Sequence, residues 1–140
     1  MGFSHHWRIS AAIPAEDWSA ICESVAFLVE DFNREFGSSI ELPVPNYVSI
    51  YIDADRWGCE HMRVLRRPTE RWNSCKTLHM PYDKLVISVI AVVAAHHAAT
   101  EVDSDGLQSH WQPCLDWAGA VLGREIPMPD GIRITGADPA

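Results

Sequence analysis

The chain has 140 residues, 47% of them hydrophobic and 21% charged, which is the composition of one ordinary globular domain. Its formal net charge of −8 argues against nonspecific binding to long nucleic acids or to an anionic membrane, because both repel an acidic protein. The most apolar segment is also too short to span a bilayer. We therefore expect one domain over residues 1–123, a C-terminal tail over residues 124–140 and no membrane partner.

Cysteine usage and the N-terminus favour a cytoplasmic protein. The four cysteines are scattered without a Cys-x-x-Cys spacing, and the N-terminus lacks the apolar segment of a secretory signal peptide. We interpret these cysteines as reduced residues of the core rather than as zinc ligands or disulfide partners. No P-loop, Gly-x-Gly-x-x-Gly or His-Glu-x-x-His motif occurs, so the sequence predicts neither a cofactor nor a metal site.

The first predicted elements are a strand over residues 4–13 and a long amphipathic helix. In the strand, His5 and Trp7 fall on one face, because successive residues of a strand point to opposite sides. Pro14 opens the helix and Gly37 ends it as a C-cap. Its apolar residues recur at three- and four-residue spacing, so this helix is expected to cover a sheet.

Alternating side chains predict three further strands, over residues 47–53, 59–65 and 70–77. The first two form a hairpin, and the third places Trp72, Ser74 and Lys76 on one face. The sequence thus predicts an α+β domain, with a mainly antiparallel sheet of about four strands and helices packed on one face of it. The element order is β-α-β-β-β-α-α, and residues 99–103 add a short strand.

A second helix, over residues 83–98, is apolar on all sides and is expected to be the most buried element. Asp83 is predicted to be its N-cap, because an Asp side chain accepts hydrogen bonds from free N–H groups. Ser109 and Gln112 match a capping box at the start of a third helix, which Gly123 ends.

The end of the strand over residues 70–77 has the groups that an anion site needs. Lys76 supplies a full charge, Thr77 supplies a hydroxyl, and the following helix supplies free N–H groups. Residues 56–76 contain six basic and two acidic residues, a net charge of +4 in an acidic chain, which suits a small anionic ligand. The alternative is that Asp83 occupies its own helix start and that the basic residues are solvated.

Three short motifs resemble those of a family of small, mostly uncharacterised proteins from phages and prophage regions. They are the string Gly2-Phe3-Ser4-His5-His6-Trp7, then Lys76-Thr77 three residues before Pro81-Tyr82-Asp83, then Ser104-Asp105-Gly106 followed by Trp111. This chain has His79-Met80 where the family often has an Arg-Lys pair. The resemblance implies no single activity, although phage proteins of this size include several that bind or destroy nucleotide second messengers of bacterial defence.

The first functional hypothesis is a phage-type sponge, an anti-defence protein that binds and sequesters a small anionic nucleotide. Basic groups would hold phosphate, aromatic faces would hold a base, and short polar groups would hold ribose. The candidate ligand-binding residues are Lys76, Thr77, Tyr82, Asp83, Ser104, Asp105, Gly106, Trp111, Arg63, Arg71, His5 and Trp7.

Two other hypotheses stay open at this point. One is a protein–protein interaction module that inhibits a host factor through an exposed aromatic patch. The other is a phosphodiesterase that cleaves the same kind of nucleotide with His5, His6 or His79 as general acid or base. An edge strand or the third helix would also allow a homo-oligomer, a question that the sequence leaves open.

Overall fold

The computed structural model describes residues 3–41, 48–54 and 58–135. The helices and strands of this part follow the order β1 (Ser4–Ile9), α1 (Ala15–Phe36), β2 (Ser49–Ile52), β3 (Met62–Leu65), β4 (Asn73–Lys76), α2 (Tyr82–His96), β5 (Thr100–Ser104) and α3 (Gln108–Leu122). The predicted α+β class is confirmed, as is the antiparallel pairing of the strands. The short strand expected after the second helix is β5.

The strands of the described residues form two sheets rather than one sheet of about four strands. One sheet has the order β4-β1-β5, and the other is the predicted β2-β3 hairpin. The backbone N–H of Glu60, just before β3, donates to the carbonyl of Lys76, so the hairpin approaches β4 without extending its ladder. Alternation fixes which face a side chain takes, but it does not fix which strand lies next to which.

The middle strand, β1, separates an inner face from an outer face. His5, Trp7 and Ile9 are buried on the inner face, whereas the side chains between them are half-buried on the outer face. The inner face packs in the same core as the buried residues of α1, α2 and α3. Within the described residues, the three-stranded sheet therefore has helices on one side only, as the sequence predicts.

The boundaries of α1 agree with the sequence signals at both ends. Pro14 precedes the helix, and Gly37 follows it in the left-handed conformation at φ 61°, where a residue without Cβ has no steric penalty. The helix buries one stripe of apolar side chains against the core.

The apolar helix α2 is buried on all sides from Leu85 to Val93, as its composition predicts. Its start differs from the prediction, because the cap position is Pro81 and no side chain caps the helix. Asp83 is instead inside the first turn, and its carboxylate bonds to two buried side chains described below. No helix in the described parts of the chain is both long enough and apolar enough to cross a bilayer.

The start of α3 is also closed by a group other than the predicted one. The ring nitrogen Nδ1 of His110 accepts a hydrogen bond of 2.9 Å from the backbone N–H of Leu107. The helix begins at Gln108 with Leu107 at the cap position, so the predicted capping box of Ser109 and Gln112 is wrong by two residues. Gly123 ends the helix at φ 70°, as predicted.

Residues 124–135 have no regular structure, but they pack onto the domain. Ile126 and Ile132 are buried members of the core. Gly131 lies so close to β5 that a Cβ added to it would be 2.4 Å from the carbonyl oxygen of Val102, and its φ is +94°. The segment therefore contributes to the folding of the domain to which it is attached.

We expect Gly131→Ala to lower the free energy of unfolding by about 2 kcal/mol or more, because the methyl group needs both a shift of the segment and a strained backbone. Urea unfolding would measure the change. Thr135→Ala, an exposed position nearby, is the control and should stay within about 0.5 kcal/mol of the parent. Equal stability of both variants would show that the segment is not packed as described.

Candidate functional site

The imidazole of His5 is fully buried and has a hydrogen-bond partner at each nitrogen. Its Nδ1 is 2.7 Å from the hydroxyl oxygen of Ser104, the residue opposite it on β5. Its Nε2 contacts the carboxylate of Asp83 in the first turn of α2. One side chain of β1 therefore joins its neighbouring strand to the start of the central helix.

The other bonds to Ser104 determine where the proton of His5 lies. The Ser104 oxygen accepts from the backbone N–H of Gly106 at 2.8 Å and from the indole N–H of Trp111 at 3.1 Å. A hydroxyl oxygen has two acceptor positions and one proton, so Ser104 must donate that proton to Nδ1 of His5. His5 is then a neutral imidazole whose Nε2–H donates to Asp83.

Thr77 ties the end of β4 to the same carboxylate. Its hydroxyl donates to Oδ1 of Asp83 at 2.5 Å, and its backbone N–H donates to the carbonyl of Phe3 at 2.9 Å. Asp83 thus accepts from a strand residue and from a histidine, and this explains why it does not cap α2. A short Asp side chain cannot reach all three groups at once.

Gly106 is needed for close approach in this network. A Cβ at this position would lie 3.0 Å from the ring of Phe3, and 3.2 Å from both the Ser104 oxygen and the Trp111 indole nitrogen. Next to it, Asp105 pairs with Ser4 through two hydrogen bonds, of 2.9 and 3.0 Å. The Ser-Asp-Gly motif therefore closes the sheet at the turn between β5 and α3.

Seven of the candidate residues predicted from the sequence meet at or beside this network, although they come from distant parts of the chain: His5, Thr77, Asp83, Ser104, Asp105, Gly106 and Trp111. Their bonds are mutual, and the central side chains are buried. The network stabilises the junction of three strands and two helix starts. Its buried members have no surface left on which a ligand could lie.

The order Ser104–His5–Asp83 resembles that of a nucleophilic triad, but its hydrogen bonding does not suit one. A nucleophilic serine needs a lone pair directed at the substrate. Both lone pairs of Ser104 accept hydrogen bonds from the protein, and the residue is buried. Cys75 and Cys114 are equally unsuited to be nucleophiles, because burial raises the pKa of each thiol to about 12.

Three aromatic rings that the sequence assigns to a base are core residues. Trp7, Tyr82 and Trp111 are almost fully buried. The Tyr82 hydroxyl donates to the carbonyl of Ile52 at 3.3 Å, and burial raises the pKa of this phenol. Because these rings are buried, they cannot stack on a ligand as predicted. The composition of the chain does not show which aromatic residues are buried.

The basic candidates lie apart from the network. Lys76 is exposed, and it points away from Thr77 because neighbouring residues of a strand face opposite sides. Arg71 is exposed just before β4. Arg63 belongs to the separate hairpin, where its guanidinium lies 5.5 Å from the centre of the Tyr51 ring. The predicted anion site of Lys76, Thr77 and a helix start is thus divided between two faces of the sheet.

The outer face of the three-stranded sheet carries three rows of polar or aromatic side chains, which the strand register and the contacts just beyond the strand ends define. They are Lys76 with Ser4 and Asp105, Ser74 with His6 and Asp103, and Trp72 with Arg8 and Glu101. The residues of these rows that lie on or next to β4 and β5 are exposed, and Trp72 keeps 43% of its surface accessible. Among the residues described, this face has no helix packed on it.

Arg8 is fixed at one end of the outer face. Its guanidinium lies 5.0 Å from the centre of the Trp72 ring, within cation–π distance. Its Nε donates to Glu101 at 2.7 Å. This hydrogen bond lowers the pKa of the Glu101 carboxyl and raises the pKa of the guanidinium, so both groups are charged at neutral pH.

A groove of about 460 Å³ opens beside this row, and its lining residues are Arg8, Ser10, Pro68, Thr69, Glu70 and Glu101. None of them is among the residues predicted from the sequence to bind a ligand. The alternation of Trp72 with Lys76 is the one sequence signal that points toward this end of the sheet. Arg8 and Glu101 are 93 residues apart, so only the strand pairing brings them together.

Comparisons of the chain with protein-family models, with curated proteins and with solved structures found no match. The family resemblance of the short motifs therefore stays a prediction.

We expect Ser104→Ala to lower the free energy of unfolding by about 2–4 kcal/mol, because it leaves the buried donors of Gly106 and Trp111 without an acceptor and His5 without a donor. Ser109→Ala removes the same hydroxyl from an exposed position and should change stability by less than about 0.5 kcal/mol. Denaturant unfolding of the three proteins would test this. A Ser104→Ala variant as stable as the parent would mean that the network is not formed.

Proposed function

We propose that the protein binds and sequesters a small anionic nucleotide on the outer face of the β4-β1-β5 sheet. The observation that supports this most directly is that Lys76 and Trp72 project from the same exposed face, with Ser74 between them and β1 side chains alongside. A cation, a hydroxyl and an aromatic ring in one line match the phosphate, sugar and base of a nucleotide.

Lys76 is suited to hold the phosphate. Its side chain is exposed, and it lies in the part of the chain with a net charge of +4. His6, one row along on β1, adds an imidazole N–H that can donate a hydrogen bond to a phosphate oxygen. The phosphate is best placed at the β4 side, because Glu101 and Asp103 lie on β5 and Asp105 follows it, whereas the Glu60 carboxylate beside Lys76 is engaged by the backbone N–H of Lys76 at 2.7 Å.

Trp72 is suited to hold the base. Its ring is 43% exposed, more than any other tryptophan for which the structure describes a side chain. Lys76 is four positions further along the extended chain, which is about 13 Å at the usual rise per residue of a strand. That span lets one nucleotide place its base on the tryptophan and its phosphate at the lysine.

The carboxylates of β5 complete the match rather than oppose it. Glu101 and Asp103 of β5, and Asp105 just after it, are exposed on the outer face. Glu101 accepts from Arg8 and Asp105 from the backbone N–H of Ser4, and their remaining oxygens can accept from hydroxyl and amino groups. A nucleotide has such donors on its ribose and base and has only acceptors on its phosphate. A nucleotide that lies along β4, with its base on Trp72 and its phosphate at Lys76, can therefore direct its ribose and base donors toward these carboxylates on the β5 side.

Sequestration is favoured over cleavage by the state of His5, whose two nitrogens are both engaged inside the core. A phosphodiesterase would have to use His6 or His79 instead. In combination with the resemblance to phage proteins, a bound and intact nucleotide messenger gives the protein an anti-defence role. Recovery of the ligand from the purified protein, intact or cleaved, separates the sponge from the enzyme.

We expect Lys76→Ala and Trp72→Ala each to weaken nucleotide binding at least tenfold, because they remove the charge and the stacking surface, while the melting temperature changes little at these exposed sites. Isothermal titration and a thermal-shift panel of cyclic nucleotides, cyclic dinucleotides and ADP-ribose would measure both effects. Arg34→Ala, an exposed charge on α1, is the control and should bind as the parent does. Unchanged affinity in both variants would contradict the proposal.

A second candidate function, a protein–protein interaction module, is favoured by the turn before α2. Leu78 and His79 have φ values of 55° and 58°, and this left-handed conformation costs about 1–2 kcal/mol per non-glycine residue. The turn exposes 42% of Leu78 and 36% of Met80. A strained backbone turn that exposes apolar side chains is typical of a binding surface. This candidate predicts no thermal shift from any nucleotide in the panel.

A further inference from the structure

The groove beside Trp72 has a lining that matches one type of base, an inference that rests on the proposed nucleotide-binding function. Its volume of about 460 Å³ is within the range of small-molecule sites. It adjoins the Trp72–Arg8 row, at the end of the outer face opposite Lys76. Arg8 lines the groove and lies over the Trp72 ring, so a base stacked on Trp72 beside Arg8 would lie next to the groove.

The acceptors of the groove are carboxylates. Glu70 is exposed, and its carboxylate forms neither a hydrogen bond nor an ion pair within the residues that the structure describes. Glu101 has one oxygen bonded to Arg8 and one oxygen left. A carboxylate has two parallel acceptor oxygens, so it binds best to a ligand that offers two adjacent N–H groups.

The donors of the groove come mainly from Arg8. Its Nε is bonded to Glu101, which leaves the N–H groups of its two terminal nitrogens for other acceptors. Thr69 accepts from the Asn73 amide at 3.2 Å and keeps its own proton to donate. The groove therefore combines a fork of donors with a pair of acceptors, and a ligand must match both.

Guanine is the base whose edges provide this combination. Its N1–H and N2–H groups are adjacent donors that pair with one carboxylate, and its O6 and N7 are the acceptors that arginine binds in bidentate fashion. Adenine has an acceptor at N1, whose lone pair repels a carboxylate, and it has a donor where guanine has O6. A phosphate would meet two carboxylates in the groove and is held away from it.

We propose that the groove selects a guanine nucleotide. Glu70 accepts from N1–H and N2–H of the base, Arg8 donates to O6 and N7, and Glu101 is a positioning residue that holds Arg8 in place. The base stacks on Trp72 beside the Arg8 guanidinium and in the same plane as it, and the phosphate extends toward Lys76. The outer face then binds one class of messenger, the guanine cyclic nucleotides or dinucleotides.

The test compares three probes in isothermal titration: the 3′,5′-cyclic monophosphates of guanosine, inosine and adenosine. The inosine form keeps O6, N7 and N1–H but lacks the N2 amino group. We expect it to bind about tenfold more weakly than the guanosine form, and the adenosine form to bind at least tenfold more weakly still. Cyclic di-GMP against cyclic di-AMP repeats the comparison for dinucleotides.

Glu70→Gln is the diagnostic variant, because the amide removes one acceptor and adds a donor that suits adenine. It should reduce the preference for guanine over adenine to less than about threefold. Glu23→Gln, an exposed change on α1, should leave the preference as it is in the parent.

Equal affinity of the parent protein for guanine and adenine probes would overturn the inference and leave nucleotide binding in place. A guanine preference that survives Glu70→Gln would overturn the assignment of the groove. If no probe of either kind binds, both the guanine inference and the proposed function fail.

Discussion

The fold depends on the two hydrogen bonds of one buried ring, that of His5. A buried imidazole with an unpaired nitrogen would be costly, so the chain must bring a hydroxyl to one side and a carboxylate to the other. Ser104 and Asp83 meet this requirement from β5 and α2. Trp111 and Gly106 then follow, because they donate to Ser104 and fix its proton. These five residues therefore form one hydrogen-bonded unit, in which each side chain or N–H group depends on the others for a partner.

This constraint divides the sheet into an inner face that stabilises the fold and an outer face on which we propose that the ligand binds. The inner face of β1 is committed to the network and the core, whereas Trp72, Ser74 and Lys76 on the outer face take no part in the network. Lys76 and Thr77 are neighbours in sequence, yet Thr77 points inward into the buried network and Lys76 points outward into solvent. The charged and aromatic residues of the outer face are therefore open to selection for a ligand, while the inner residues are held by packing.

The sequence was sufficient for those features that depend on local pattern. Alternation predicts that His5 and Trp7 share a face and that Trp72 and Lys76 share another, and Gly37 and Gly123 mark two helix ends. Features that depend on which strands and helices lie next to each other could not be predicted from the sequence. Asp83 looks like an N-cap until His5 lies next to it, and the groove joins residues of β1, β5 and the segment before β4. Burial of Trp7 and Trp111 likewise follows from the packing of the sheet and not from their type.

The most direct test of the proposed binding on the outer rather than the inner face of the sheet is an NMR titration with 3′,5′-cyclic GMP. The titration follows the indole N–H signals of the tryptophans. Binding on the outer face predicts that the signal of Trp72 moves together with the amides of Ser74 and Lys76. The signals of Trp7 and Trp111, which are buried on the inner side, should stay in place. Movement of Trp111 and of the Gly106 amide, with Trp72 unchanged, would instead place the ligand at the network and contradict the account.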